Sequence, residues 1–169
     1  GYHRQFPLRR GAPKEELRSR LGMGQPTFGH ALTRLQQDGA LVDEGREVRR
    51  PDHVRKLSVE QQGQADRYLA LLRTNPYSPP TDDPVDADVL GVLVDEGKVV
   101  RVNESVVFDA DAYEDMVAAV RKRTAEAGQI TVADVRDMLG ATRKYALALL
   151  EYLDQERITR RVGDARVLR

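Results

Sequence analysis

Residues Thr142–Arg169 read TRKYALALLEYLDQERITRRVGDARVLR, and this stretch decides the fold. Leu147, Leu150 and Leu153 recur at the spacing of one helix face. The period then shortens over Ile158 and Val162, Gly163-Asp164 supplies a tight turn, and the chain returns through Ala165–Leu168. Helix, strand, turn and return strand follow without a spare residue. Basic side chains stand at both ends of the unit. Arg143 and Lys144 fall in the first turn of the helix, while Arg160, Arg161 and Arg166 flank the hairpin turn. A cationic helix start and a cationic hairpin tip can hold a polyphosphate backbone at two points.

Working outward, the same pattern recurs at intervals of about 55–60 residues. HALTRLQQDGALVDEGREVRR (30–50), DVLGVLVDEGKVVRVNESVVF (88–108) and YALALLEYLDQERITRRVGDARVL (145–168) each join an apolar helix to two short strands. Neither a three-turn helix nor a lone hairpin closes a core by itself, so each copy needs further helices. In the last copy these are Asp111–Ala127, stopped by Gly128, and Val132–Leu139, capped by Thr131 and ended by Gly140. Ile130-Thr131 supplies a short strand between them, and Thr142 is placed to cap the next helix. The order helix, short strand, helix, helix, strand, wing, strand is a winged helix. The first copy retains only the end of its opening helix (Tyr2–Phe6), followed by Lys14–Leu21, Pro26–Asp38 and a hairpin. In the second copy Val59–Leu72 forms a helix, but NPYSPPTDDP (75–84) replaces the next one, because its prolines forbid a regular element. The fold class is therefore mainly α with small β-hairpins (α+β), in three tandem winged-helix modules: 1–57, 58–110 (reduced) and 111–169. The joins contain no Gly/Ser linker and read as short and rigid.

The chain has 169 residues, no Cys and no net charge. Absence of Cys excludes disulfides, thiolate zinc sites and Cys nucleophiles. No run of 18 apolar residues occurs, so nothing reads as membrane-spanning. No secretory leader opens the sequence, which begins mid-pattern and reads as a fragment of a longer protein. The zero net charge hides an uneven distribution. Residues 1–57 carry 12 Lys/Arg against 7 Asp/Glu, 58–110 carry 4 against 10, and 142–169 carry 7 against 4. Screening beyond about 8 Å at physiological salt makes these local balances count for more than the total.

Several residues have two readings each. Cations at a helix start oppose the helix dipole, so Arg143 and Lys144 are poor choices for stability and good ones for an anionic partner. The plainer reading is a solvated pair. Arg160 and Arg161 are adjacent in a strand and point to opposite faces, so one can meet RNA while the other pairs with Asp164 or a helix carboxylate. Arg166 can project beside whichever faces out. Tyr145 either stacks on an unpaired base or packs against Leu149 and Tyr152, the favoured alternative. In the favoured reading the Arg136-Asp137 pair orients the second helix or supports the neighbouring helix by a salt bridge; in the other Arg136 meets RNA. Gly163 permits close approach to a backbone. Arg9, Arg10, Arg18, Arg20, Arg49 and Arg50 form a second basic set, facing either nucleic acid, another part of the parent protein, or water. His3, His30 and His53 lack metal-ligand spacing, and Asp82, Asp83, Asp86 and Asp88 lack the Gly and terminal Glu of a calcium loop. No nucleophile–base grouping emerges, and the chain reads as a non-enzyme.

The segments RDML (136–139), TRKYALALLEYLD (142–154) and TRRVGDARVL (159–168) together resemble the last winged helix of the bacterial selenocysteine-specific translation elongation factor family, SelB. YHRQFPLRRGAPKEELRSRL (2–21) and PYSPP (76–80) extend the resemblance to essentially the whole chain. It implies the final three of four winged helices, C-terminal to a GTPase core that delivers selenocysteyl-tRNA. It also implies that the last module binds the mRNA hairpin that recodes a UGA codon. The candidate RNA-binding residues, from their place at the helix start and wing, are Thr142, Arg143, Lys144, Arg160, Arg161 and Arg166, with Arg136, Tyr145 and Gly163 in a second tier. The family more often has Ser at the position of Thr142, and either hydroxyl suits a cap. No G-x-x-x-x-G-K-[ST] loop is present, so GTP and Mg2+ are expected in the parent's upstream domain and no cofactor in this part. The expected setting is a cytoplasmic monomer that meets the ribosome and selenocysteyl-tRNA through the full-length factor. Two other functions fit the fold: a DNA-binding transcription regulator and a protein-interaction scaffold. The acidic helix residues Glu151, Asp154 and Glu156 disfavour insertion into a DNA major groove.

Overall fold

The computed structural model describes residues 1–169. In chain order the elements are α1 (Tyr2–Gln5), β1 (Ala12–Pro13), α2 (Lys14–Leu21), α3 (Gln25–Gln37), β2 (Val42–Asp43), β3 (Glu47–Arg49), α4 (Val59–Thr74), α5 (Ala87–Asp95), β4 (Val99–Arg101), β5 (Val107–Asp109), α6 (Ala110–Ala127), β6 (Ile130–Thr131), α7 (Val132–Leu139), α8 (Arg143–Gln155), β7 (Thr159–Val162) and β8 (Ala165–Leu168). No helix is long and apolar enough to cross a membrane.

Packing divides the chain into two compact units, Gly1–Gln61 with Ala87–Val92, and Gln62–Asp86 with Leu93–Arg169. In the first unit, β1, β3 and β2 form an antiparallel sheet in that order, with Ala12 opposite Val48 and Val42 opposite Arg49. Leu8, Ala12, Phe28 and Val48 are its buried apolar side chains. The order α1, β1, α2, α3, β2, β3 is that of a winged helix.

The second unit contains the same order once more. Strands β6, β8 and β7 make a three-stranded antiparallel sheet, with Ile130 opposite Arg166 and Arg161 also opposite Arg166. Local chemistry fixes the helices that lie on it. Thr131 Oγ1 accepts from the Asp134 N–H (3.2 Å) and Asp134 Oδ2 accepts from the Thr131 N–H (2.8 Å), a reciprocal capping box that starts α7. Gly140, at φ 62°, ends it in the left-handed conformation that lacks a penalty only for glycine. Helix α8 then buries Ala146, Leu149, Leu150 and Leu153 against Met116 and Val120 of α6, Ile130 and Val135. Truncating any one of these leucines to Ala costs about 2–5 kcal/mol.

The same core takes in Val102, Val106 and Phe108 from the β4–β5 hairpin. Strand β5 runs into α6 without a linker. Asp109 Oδ1 accepts from the Asp111 N–H (3.1 Å), and its Oδ2 accepts from Arg73 Nε (2.9 Å). The division expected at residues 110 and 111 therefore does not coincide with a gap in packing. Residues of the expected module 58–110 are shared between the two units. The physical reason is the missing helix at 75–84: a hairpin with too few helices to cover it borrows the core of its neighbour.

Candidate nucleic-acid interface

The start of α8 can be read one N–H group at a time. An α-helix leaves its first four backbone N–H groups without intrahelical partners. Here the Thr142 N–H donates to Ser78 Oγ (3.0 Å), and the N–H groups of Tyr145 and Ala146 both donate to the Thr142 carbonyl (3.1 Å each). The N–H groups of Arg143 and Lys144 find no acceptor in the protein. Thr142 occupies the N-cap position with extended backbone (φ −80°, ψ 159°), but its hydroxyl makes no capping bond. This departs from the expectation that it caps α8. The two unsatisfied donors belong to the two cationic residues, whose exposed side chains form no ion pair. The Lys144 ammonium lies 5.3 Å from the centroid of the Tyr145 ring. Free donors, the positive end of the dipole and two unneutralised cations converge on one exposed helix start, next to a free hydroxyl.

The wing divides its arginines. Arg160 is exposed and has no acceptor, and Arg161 is exposed and donates only to the Gly163 carbonyl (2.9 Å). Gly163 holds φ 61° at the hairpin tip, where an added Cβ meets nothing within 4 Å. The turn is therefore open to a large partner. Arg166 is a correction. It is only 3% exposed, and its Nε donates to Asp154 Oδ2 at 3.3 Å, while Thr159 Oγ1 donates to Asp154 Oδ1 at 2.6 Å. Arg166 sits on β8, the middle strand of the sheet, with Ile130 on one side and Arg161 on the other. Its buried side chain turns inward to Asp154 of α8, so it ties strand to helix instead of reaching RNA.

Two of the second-tier residues are also committed internally. Tyr145 is 8% exposed, its ring lies 6.1 Å from that of Phe108, and its hydroxyl donates to the Pro79 carbonyl. Burial raises its phenol pKa above the usual range, so it stays a donor. Base stacking on Tyr145 is thereby excluded; the packing alternative holds, with Phe108 and Pro79 as neighbours. Arg136 donates from Nε to Asp137 Oδ1 (2.8 Å), so its ion pair lies within α7 instead of reaching a neighbouring helix.

The first unit supplies an internal contrast. Each arginine of its expected basic set is ion-paired: Arg9 with Asp88 (3.3 Å), Arg10 with Glu44 (3.2 Å), Arg18 with Glu15 (2.7 Å), Arg20 with Glu16 (3.4 Å), Arg49 with Glu44 (2.8 Å) and Arg50 with Asp52 (2.7 Å). That set forms no free cationic face, although the basic composition is higher. His3 and His53, remote in sequence, stack with ring centroids 3.6 Å apart. Burial, followed by the neighbouring His53 and Arg50, lowers the His3 pKa. Arg121, Lys122 and Arg123 are also exposed, on α6, and form no ion pair. Three adjacent cations on one helix are the sequence signal for them.

Comparisons with known proteins place both winged helices in one family. Residues 122–168 and residues 1–49 each match a family model described as elongation factor SelB, winged helix. The selenocysteine-specific elongation factor of Desulfomicrobium baculatum is 32% identical over 185 residues, covering 99% of this chain and 28% of the relative. That of Escherichia coli (strain K12) is 27% identical over 180 residues, covering 99% and 29%. The chain thus spans less than a third of the length of the curated relatives it matches. Among solved structures, the mRNA-binding domain of elongation factor SelB from E. coli in complex with SECIS RNA superposes with a TM-score of 0.54 at 28% identity, covering 67% of this chain and 99% of that one. A bacterial selenocysteine-specific elongation factor EF-Sec superposes with a TM-score of 0.56 at 16% identity, covering 94% of this chain and 26% of that one, which supports the fold alone.

Proposed function

The chain belongs to the SelB family of selenocysteine-specific elongation factors, and from that premise we propose that it is the region that binds the mRNA hairpin and tethers the factor to the UGA-recoding element. The observation that carries this reading is the helix start of α8. Thr142, Arg143 and Lys144 present free donors and unneutralised charge there, in a chain whose other winged helix has its expected basic set paired off. Backbone contacts from this helix start, and from Arg160, Arg161 and Gly163 at the wing, fix the RNA in position. Sequence preference then comes from splayed loop bases, because A-form RNA hides its major groove from side chains. In this reading the modules 1–57, 58–110 and 111–169 are repeats of one unit, the upstream two acting as a spacer. GTP and Mg2+ chemistry, and the contacts with selenocysteyl-tRNA and the ribosome, belong to the rest of the factor. It works as a monomer in the cytoplasm.

The test is a fluorescence-anisotropy titration of the 169-residue chain against a SECIS hairpin, with duplex DNA as competitor. The expected result is saturable binding that duplex DNA does not displace. The affinity should fall as salt rises, with a log–log slope of about −0.7 per phosphate neutralised on single-stranded loop nucleotides. Equal binding to duplex DNA, or affinity indifferent to salt, overturns the proposal.

A further inference from the structure

The unsatisfied donors at the start of α8 are useful only if the helix end is held still. What holds it comes from outside the last winged helix. The NPYSPPTDDP segment, 75–84, contains no helix or strand, yet it is anchored at three successive residues. Tyr77 packs against the core of the second unit, Ser78 Oγ accepts the Thr142 N–H at 3.0 Å, and the buried Pro79 offers its carbonyl to the Tyr145 hydroxyl. The two hydrogen bonds bracket Arg143 and Lys144, one on each side in the chain. The segment is also stiff. Pro79 and Pro80 each fix φ near −65°, and a residue before proline is confined to extended backbone. Ser78 and Pro79 are thus held extended before α8 meets them, and little ordering entropy is lost when they bond.

Resting on the RNA reading above, we propose that Ser78 is a positioning residue of the RNA grip: the 75–84 brace, through the Ser78 hydroxyl and the Pro79 carbonyl, fixes the first turn of α8 so that Arg143 and Lys144 face the phosphate backbone together. Ser78 itself touches no RNA. Its hydroxyl accepts the N–H of the N-cap residue, the donor that an N3 side chain takes in a capping box and that Tyr145, at N3 here, does not take.

The experiment is a double-mutant cycle on the 169-residue chain, with SECIS-hairpin affinity as one readout and amide hydrogen exchange at Thr142 as the other. Ser78→Ala should weaken binding by about 5-fold, the usual loss for one hydrogen bond, and speed exchange of the Thr142 amide. Ser78→Thr, which keeps the hydroxyl, should restore both. Arg143→Ala should cost markedly less affinity in the Ser78→Ala background than in the wild type, because an arginine already out of position has less to lose. A residue that merely stabilised the fold would leave the Arg143→Ala effect unchanged. Strictly additive losses, or a Ser78→Ala variant that binds as the wild type does, overturn the positioning role and leave the RNA site standing. Failure of the wild-type chain to bind the hairpin overturns both.

Discussion

Replacing Arg143 and Lys144 together by Ala separates the demands of binding from those of folding, because the structure sets them in opposition. Both side chains are exposed, neither has a carboxylate partner, and both sit at the positive end of α8. Each therefore repels the helix dipole, by about 0.3 kcal/mol at an exposed position, and their removal should leave the melting temperature unchanged or slightly higher. For RNA the sign reverses. Each cation, with the free N–H group of its own residue, offers a charge-assisted hydrogen bond to phosphate. Removing both, at the exposed end of the range for such bonds, costs about 2–4 kcal/mol, or about 30- to 1000-fold in affinity. The salt slope should also flatten, by about 1.4 if each residue neutralises one phosphate of the loop. Anisotropy titrations at several salt concentrations and a thermal melt measure all three quantities. The combination of weaker binding, a shallower slope and an undiminished melting temperature is the signature of a binding cluster. A variant that binds within two-fold of the wild type, or one that loses affinity because it unfolds, refutes the reasoning.

Three further outcomes follow from the geometry. Asp154→Ala leaves the buried Arg166 guanidinium without its carboxylate, and urea unfolding should show a loss of about 3 kcal/mol; a loss below about 1 kcal/mol would mean that water or another group satisfies the arginine. Arg9→Ala combined with Arg10→Ala, which removes two cations already paired with Asp88 and Glu44, should leave hairpin affinity and its salt slope unchanged in the same titration. His3 has its pKa lowered in the folded state, so the unfolded chain binds the proton more readily; stability should hold above the unfolded pKa of about 6.5 and decline as pH falls below it. Melts between pH 8 and pH 5 should show that decline, and His3→Gln should flatten it.

Much of this architecture was legible because its signals are local. Helix α7 begins and ends where Thr131 and Gly140 predict, since a capping box and a left-handed glycine act within four residues of their targets. The absence of a helix over 75–84 follows equally from its prolines. Arg166 was misassigned for a reason that alternation cannot reveal. A two-stranded wing has one wet face, but β6 makes β8 a central strand, and only the pairing of Ile130 with Arg166 exposes this. The hydroxyl of Thr142 was expected to cap because the sequence rule considers only the helix's own residues. The N–H of Thr142 itself is taken by Ser78, which lies 64 positions away. Which residues share a core was hidden in the same way. A repeat is visible in the spacing of its leucines, but whether each copy closes its own core depends on Val102, Val106 and Phe108, which meet Leu149 and Leu150 only in three dimensions.

The two winged helices of this chain show why fold and net charge are poor guides to function. The first unit carries more basic residues than acidic ones, yet each arginine of its basic set is matched to a carboxylate, from Glu15 nearby on the same helix to Asp88 on α5. Exposed pairs of that kind contribute little to stability, about 0–1 kcal/mol each. Their main effect is to cancel the field that would otherwise draw in a polyanion. At the equivalent place in the first unit, α3 opens with Gln25 and Pro26, and Pro26 has no N–H to offer. In the second unit α8 opens with two cations and two unclaimed donors, and a brace from another segment takes up the adjacent N–H without introducing a negative charge. Had Ser78 been Asp, the Thr142 N–H would be bonded equally well, and the helix start would lose its attraction for phosphate. In the proposed reading, neutral bracing next to uncancelled charge is what distinguishes the RNA-binding helix from the one that only packs.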